Sequence, residues 1–386
     1  MACKNLIYLD NAATSYPKPA GCLHRALDAY LEWGGSPGRG SYDLAVEANR
    51  VVSDIREELI GFFGGDDRYR LCFAYNATEA LNTLLQGVAE SGSHIVSTCL
   101  EHNSVLRPLH HLREQGRITF DLVPFGGNGF VDPDEIAAAM RPDTRLVIVN
   151  HASNVLGTIQ PVADIGKICS DRAVPLFLDV SQSAGVVPIE ASKWNVAGLA
   201  FTGHKALLAP TGIGGLMINQ EIKISATRFG GTGIDSSNPF HTAEYPYRLE
   251  AGTLNLFGVL ALRETLAYLK TRDQEARYKR EMALLAELRD NLMSLDNVQL
   301  YAVQSLDNHL PLLCCNIQGR SAEDLAAVLD GDFNIAVRAG LHCAPLAHKG
   351  LGTVPDGAVR FSLGVYSQKE HIEAAIQAMS RIAQSP

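Results

Sequence analysis

Between Tyr69 and Asn219 short runs of Val, Ile, Leu and Phe alternate with stretches of helical periodicity, and this alternation limits the possible folds more than any other feature of the chain. A strand apolar on both faces must be covered on both, and parallel neighbours need long crossovers, which helices supply. The strand candidates are 70–75, 94–98, 118–123, 146–150, 176–179, 198–202 and 215–218. Helical patterns at 81–88, 104–114, 133–140 and 165–170 fall between them, with Asp132-Pro133 and Pro161 as N-terminal punctuation. The expectation is an α/β fold with a mainly parallel seven-stranded sheet.

After Leu254 the period changes to one long charged amphipathic stretch over 255–295, with a break near Arg272-Asp273. We therefore expect a large domain over 18–254 and a smaller C-terminal α+β domain over 255–386, with residues 1–17 packing against the small domain or the active site. The small domain is expected to hold strands near 298–303, 310–317, 335–338 and 358–363, and helices at 322–329 and 370–383. A length of 386 residues suits two such units.

The 33 basic and 42 acidic residues give a formal charge of −9 without a Lys/Arg cluster, which argues against nucleic acid and anionic membrane surfaces as partners. The N-terminal residues lack a basic segment followed by an apolar run, so the cytoplasm is the expected location. The uncharged stretch 206–220 is too short to span a bilayer. Eight scattered cysteines, with an adjacent Cys314-Cys315 pair and no CxxC, predict free thiols rather than a disulfide framework.

Four local features carry chemistry. The apolar run 199–202 leads through Gly203 and His204 into Lys205. A lysine at the mouth of a buried strand is desolvated, which lowers its pKa and favours Schiff-base formation, whereas a surface lysine would merely snorkel. Asp179 ends another buried run, 26 residues earlier. It is either a turn cap or the acid that keeps a pyridine nitrogen protonated, and with Lys205 it makes the two essential parts of a pyridoxal phosphate site. Residues 75–80 pass from strand to helix through small side chains, where the same N–H groups serve an ordinary N-cap or a bound phosphate. Cys343 stands in a glycine-containing loop beside His342 and near Arg338, cations that favour thiolate. His342, Cys343 and His348 also suggest metal ligation, but a fourth ligand at suitable spacing is missing, and no metal is expected.

Together these parts resemble the class V aminotransferase family of fold-type I pyridoxal phosphate enzymes, in its cysteine desulfurase and selenocysteine lyase branch. The resemblance covers nearly the whole chain. Its segments are YLDNAA from Tyr8, NATE from Asn76, EHNS from Glu101, SNVLGT from Ser153, DVSQ from Asp179, TGHK from Thr202, EAGT from Glu250, RAGLHC from Arg338 and VRFS from Val359. It implies that Lys205 is the Schiff-base lysine and proton carrier, that Asp179 pairs with the pyridine nitrogen, and that His102 stacks on the ring and assists proton transfer.

By the same resemblance Gln182 reaches the ring hydroxyl, and Thr78, Thr202 and His204 hold the phosphate with backbone help from Ala77. Gly252 and Thr253 reach the phosphate of the other subunit, which implies a homodimer. Asn154 lies at both cofactor and substrate, Arg360 binds the substrate carboxylate, and Arg39 is an active-site neighbour. The implied reaction converts L-cysteine to L-alanine, with the sulfur carried by Cys343 as a persulfide toward an acceptor protein.

L-selenocysteine as substrate, transamination or epimerisation with Cys343 a bystander, and a non-enzymatic sulfur-relay scaffold are the alternatives. The chain departs from many relatives in carrying Thr202 where they have serine, and in reading APLAHK after Cys343. The RAGLHC form resembles the group with a short cysteine loop.

Overall fold

The computed structural model describes residues 6–37, 40 and 42–384. In chain order its elements are β1 (Ile7–Tyr8), α1 (Ala20–Trp33), α2 (Asp43–Phe62), β2 (Tyr69–Ala74), α3 (Ala77–Val88), β3 (Ser93–Thr98), α4 (Asn103–Glu114), β4 (Ile118–Val123), α5 (Pro133–Ala139), β5 (Thr144–Asn150), α6 (Val162–Asp171), β6 (Leu176–Asp179), β7 (Val196–Thr202) and β8 (Gly214–Asn219). There follow α7 (Leu256–Lys270), α8 (Gln274–Met293), β9 (Val298–Leu300), β10 (Leu312–Ile317), α9 (Ala322–Phe333), β11 (Ile335–Ala336), α10 (Pro345–Leu351), β12 (Val359–Ser362) and α11 (Lys369–Gln384).

The seven expected strands form one sheet in the order β2-β8-β7-β6-β5-β3-β4. Strands β7, β6, β5, β3 and β4 are parallel neighbours, and β8 alone runs antiparallel, to both β2 and β7. Every residue of β3, β6 and β7 is buried, as strands covered on both faces must be. One face packs in the largest apolar cluster with α2, α6 and α7, and the other packs with α3 and α4.

The smaller sheet, β12-β10-β9, is antiparallel and packs in its own cluster with α8, α9 and α11. Strand β1 pairs in parallel with β11, so the N-terminal segment joins this unit. Strand β9 stops at Leu300, short of the expected 303, because Ala302 takes a left-handed conformation with φ of 52° that no strand continues through.

Core packing does not change at 254/255. Leu256, Val259, Leu260, Leu262 and Leu266 of α7 belong to the large core, whereas Leu284, Leu285, Leu288 and Leu292 of α8 belong to the small one. Between these two helices Asp273 caps α8 by accepting from the Ala276 N–H at 3.0 Å, and beyond it Tyr301, Cys314 and Ala358 still pack in the large cluster. Helices α1, α2 and α10 were not among the expected elements. Among the described residues no helix is long and apolar enough to cross a membrane.

Candidate active site

A parallel sheet opens its ligand crevice beyond the C-terminal strand ends, where the loops into the next elements diverge. Strand β2 leads to Asn76, Ala77 and Thr78, β3 to His102, β5 to Asn154, β6 to Asp179 and Gln182, and β7 to His204 and Lys205. Those loops line one cavity of roughly 200 Å³, together with Ala12, Thr202, Arg338, His342 and Arg360.

Lys205 is deeply buried, and desolvation lowers its pKa to about 8 against the opposing pull of Asp179. Arg360, Arg338 and Cys343 also act on its charge, so these groups share one electrostatic neighbourhood. Burial, and then the Lys205 charge, push His102 down to about 4, so its imidazole is neutral near pH 7. Its Nδ1 accepts from the Ser104 N–H at 3.1 Å and lies 2.8 Å from Ser104 Oγ, which fixes the ring at the head of α4. Asp179 Oδ1 accepts from the Ser181 N–H at 2.9 Å and from the Ser181 hydroxyl. It is thus both turn cap and cavity wall, and the two readings are not exclusive.

The anion seat has the same double character. Asn76 caps α3 by accepting from the Glu79 N–H at 2.9 Å, while Ala77 and Thr78 occupy the first turn, whose N–H groups have no intrahelical acceptor. Thr78 Oγ1 lies 2.7 Å from Ser104 Oγ. Thr202 Oγ1 and His204 Nδ1 are buried without a hydrogen-bond partner, and both residues line the cavity. A buried polar atom left unpaired is costly, so this pair calls for a polar ligand. Burial lowers His204 to about 4, which leaves its ring neutral.

Arg360 is 1 % exposed, and its Nη1 donates to Asn154 O at 2.9 Å and its Nη2 to Asp10 Oδ1 at 2.8 Å. Its Nε has no partner. Asp10 was not anticipated as its anchor. Asn154 Nδ2 donates to His342 O at 2.7 Å, tying this cavity-lining asparagine to the cysteine loop. Gln182 Nε2 donates to Ala12 O at 3.1 Å.

Cys343 is half-buried, and Arg338 Nη2 donates toward its sulfur at 3.6 Å. Its loop is anchored on several sides: Asn103 N donates to Cys343 O at 2.7 Å, and Gly340 and Ala358 exchange backbone bonds at 3.1 and 3.2 Å. Gly357 permits that approach, since a Cβ there would lie 2.1 Å from Gly340 O. His342 and Cys343 both adopt left-handed backbone, φ of 48° and 57°. Each such residue costs about 1–2 kcal/mol, so the surrounding bonds must hold the turn.

Gly252 and Thr253 do not join the lysine. They line a separate cavity of about 180 Å³ whose wall includes the Arg56–Glu250 ion pair, with N–O distances of 2.6 and 2.7 Å. Arg39 lies outside the described residues. Among the described residues no group of three or more His, Cys, Asp or Glu side chains is arranged to hold a metal ion, and the seven described cysteines are free thiols. Sequence reasoning gave no role to Asp10, Ser104, Ser181 or Lys18. Asp10, Ser104 and Ser181 stand inside the YLDNAA, EHNS and DVSQ segments, and Lys18 in none of them.

The profile of the class-V aminotransferase family matches residues 7–375. The chain belongs to that family. A probable cysteine desulfurase of Methanothermobacter thermautotrophicus is 32% identical over 383 residues, covering 98% of this chain and 94% of the relative. The apo structure of a cysteine desulfurase from Thermococcus onnurineus NA1 is similar at 31% identity with a TM-score of 0.90, over 98% of this chain and 95% of that one. A cysteine desulfurase structure from Escherichia coli is similar at 25% identity, TM-score 0.84, over 97% and 94%. These likenesses and the family's parallel-sheet architecture agree with the expected fold.

Proposed function

We propose that this chain is a pyridoxal phosphate-dependent cysteine desulfurase, converting L-cysteine to L-alanine with transfer of the sulfur to Cys343. The observation that carries the reading is the convergence of a desolvated amine, Lys205, an acid, Asp179, and a loop thiol, Cys343, on one electrostatic neighbourhood. Whole-length similarity to cysteine desulfurases supports it.

The cavity's residues fit the cofactor. Ala77, Thr78, Thr202 and His204 would hold its phosphate, two of them through the orphaned atoms described above, while Asp179 would face its ring nitrogen and Gln182 its hydroxyl. When bound, the cofactor supplies an aldehyde that condenses with amines and a protonated ring that takes up the electrons of a broken C–H bond.

The chain's own groups do the rest. Lys205, whose pKa of about 8 leaves a usable fraction of free amine near neutral pH, accepts and returns a proton at Nζ. His102, neutral and fixed by Ser104, would stack on the ring of the bound cofactor and holds a second proton site at Nε2. Arg360 and Asn154 orient the substrate carboxylate, and Asp10 holds the guanidinium in place. Cys343 takes the substrate sulfur: an S–S bond forms, the substrate C–S bond breaks, and alanine and an enzyme persulfide result with no outside oxidant.

The enzyme acts as a cytoplasmic homodimer. Support comes from the separate cavity at Gly252 and Thr253, and from the exposed apolar side chains Leu27, Tyr30, Leu31, Tyr42, Leu44 and Val46 on and between α1 and α2. Free thiols suit a reducing compartment. A sulfur-acceptor protein takes the persulfide from the loop.

The test is alanine and sulfide release from L-cysteine by holoenzyme with and without Cys343→Ala. The variant should keep its cofactor absorbance and lose alanine formation with cysteine. Full-rate alanine formation by the variant would contradict the sulfur-carrier role.

A further inference from the structure

The cysteine loop and the helix after it carry two imidazoles that the proposed reaction does not use. His342 Nε2 is 3.1 Å from Arg338 O, His342 Nδ1 is 3.1 Å from His348 Nε2, and His348 Nδ1 is 2.8 Å from Thr353 Oγ1. The ring centroids are 5.3 Å apart and the planes inclined by 27°, so the rings meet edge to edge, close to coplanar. Both side chains are buried, His348 completely.

This chain admits one arrangement of protons while both rings are neutral. A carbonyl only accepts, so His342 Nε2 carries a hydrogen and donates to Arg338 O. A neutral ring then offers Nδ1 as an acceptor, which requires His348 Nε2–H to donate. His348 Nδ1 is left as an acceptor, and the Thr353 hydroxyl, 2.8 Å from it and 3.2 Å from His348 O, donates to the nearer of the two. Burial, and secondarily the Arg360 charge, hold both rings well below the ordinary histidine value, His348 at about 4, which keeps a further proton out near neutral pH.

The relay is attached to the reacting thiol through the backbone. His342 is the residue before Cys343, both are left-handed, and Arg338, whose carbonyl ends the relay, also donates toward the Cys343 sulfur. His348 lies within α10, which begins two residues after the cysteine, and Thr353 follows just after the helix ends. We propose that His348 and Thr353 are positioning residues for Cys343: by fixing the tautomer and orientation of His342 they hold the left-handed turn that keeps the Cys343 sulfur beside Arg338. The His342/His348 pair is thus a proton-ordered strut. The inference rests on the desulfurase reading for its reaction readout.

The experiment compares four variants of the holoenzyme. Thr353→Val and His348→Leu break the relay at near-constant volume. Thr353→Ser and His348→Gln restore it, because serine keeps the hydroxyl and glutamine can donate from Nε2 to His342 and accept on Oε1 from Thr353. Two rates are read, single-turnover persulfide formation on Cys343 and alkylation of Cys343 by iodoacetamide, with KM for L-cysteine and cofactor absorbance as controls.

Thr353→Val and His348→Leu should slow persulfide formation about tenfold or more through misplacement of the sulfur, and change the alkylation rate, with KM and absorbance unchanged. Thr353→Ser and His348→Gln should recover parental behaviour in both. Parental rates in the valine and leucine variants would overturn the proposal, and so would serine and glutamine variants as impaired as the other two. If His348→Leu fails to fold, the valine/serine pair decides alone. A parent that forms no persulfide would instead refute the desulfurase reading, and the alkylation series would still decide the relay.

Discussion

Lys205, Asp179 and Cys343 were legible because each is chemically odd for its place: a cation and an anion at the ends of buried strands, and a thiol in a loop. Their partners were not. Nothing local marks Ser181 as the group that grips Asp179, or Asp10 as the anchor of Arg360, 350 residues away. Such pairings exist only once the chain is folded. At this scale the charge of Asp179 is the part to remove. Asp179→Asn keeps the size but loses the negative partner proposed for the ring nitrogen, a charge-assisted bond of roughly 2–3 kcal/mol, so alanine formation should fall by about 100-fold with the protein still folded. Activity within a few-fold of the parent, measured at saturating cofactor, would contradict that role.

Elements were legible where their period was unambiguous. Strands β4 and β6 match their expected bounds, and the others, apart from β9 with its early stop, shift by one or two residues because strand ends fade into polar turns. The direction of β8 was not readable, since an apolar run carries no sign of its orientation. Helix α2 did leave a signal that went unread: Ala45, Ala48, Val52, Ile55 and Leu59 recur at helical spacing on its buried face. Helix α10 is too short, at 7 residues, to show a period.

The loop after β1 is the element that sequence left least defined, and in the structure four donors from it converge on His204 O, the carbonyl next to the key lysine. They are Thr14 Oγ1 at 3.0 Å, Ser15 N at 3.1 Å, Ser15 Oγ at 3.2 Å and Lys18 Nζ at 2.6 Å. Lys18→Met removes the charged donor and should cost about 1.5–3 kcal/mol in equilibrium unfolding, the range for a hydrogen bond to a charged group. An unchanged midpoint would show that the segment is held without it.

The apolar packing gathers chiefly in two cores, and the cavity lies at their seam, where the loops after the large sheet bring Lys205 and Asp179 and the C-terminal residues bring Arg338 and Arg360. A second cavity on the seam is lined by Gln182, Lys205, Arg277 and Glu281. Glu281 is 3 % exposed, its Oε1 has no hydrogen-bond partner, and the nearest guanidinium nitrogens, on Arg277 and Arg280, stand 3.9 Å away. Burial raises its pKa from 4.5 to about 7.

Between those two values the native state holds a proton that the unfolded chain has released, so this residue's contribution to stability is greatest below pH 4.5 and declines as pH rises to 7. Glu281→Gln mimics the protonated form. Its stability advantage over the parent should grow between pH 4.5 and 7, by up to about 1.4 kcal/mol per unit, and stay level above. A difference independent of pH, in denaturant unfolding across that range, would contradict the assignment.

The functional account depends most on the covalent partner of the cofactor. Borohydride reduction of the holoenzyme followed by mass mapping of its peptides reads that bond directly. A pyridoxyl group on Lys205 is the predicted result, and the same group on another lysine, or on none, would contradict the account.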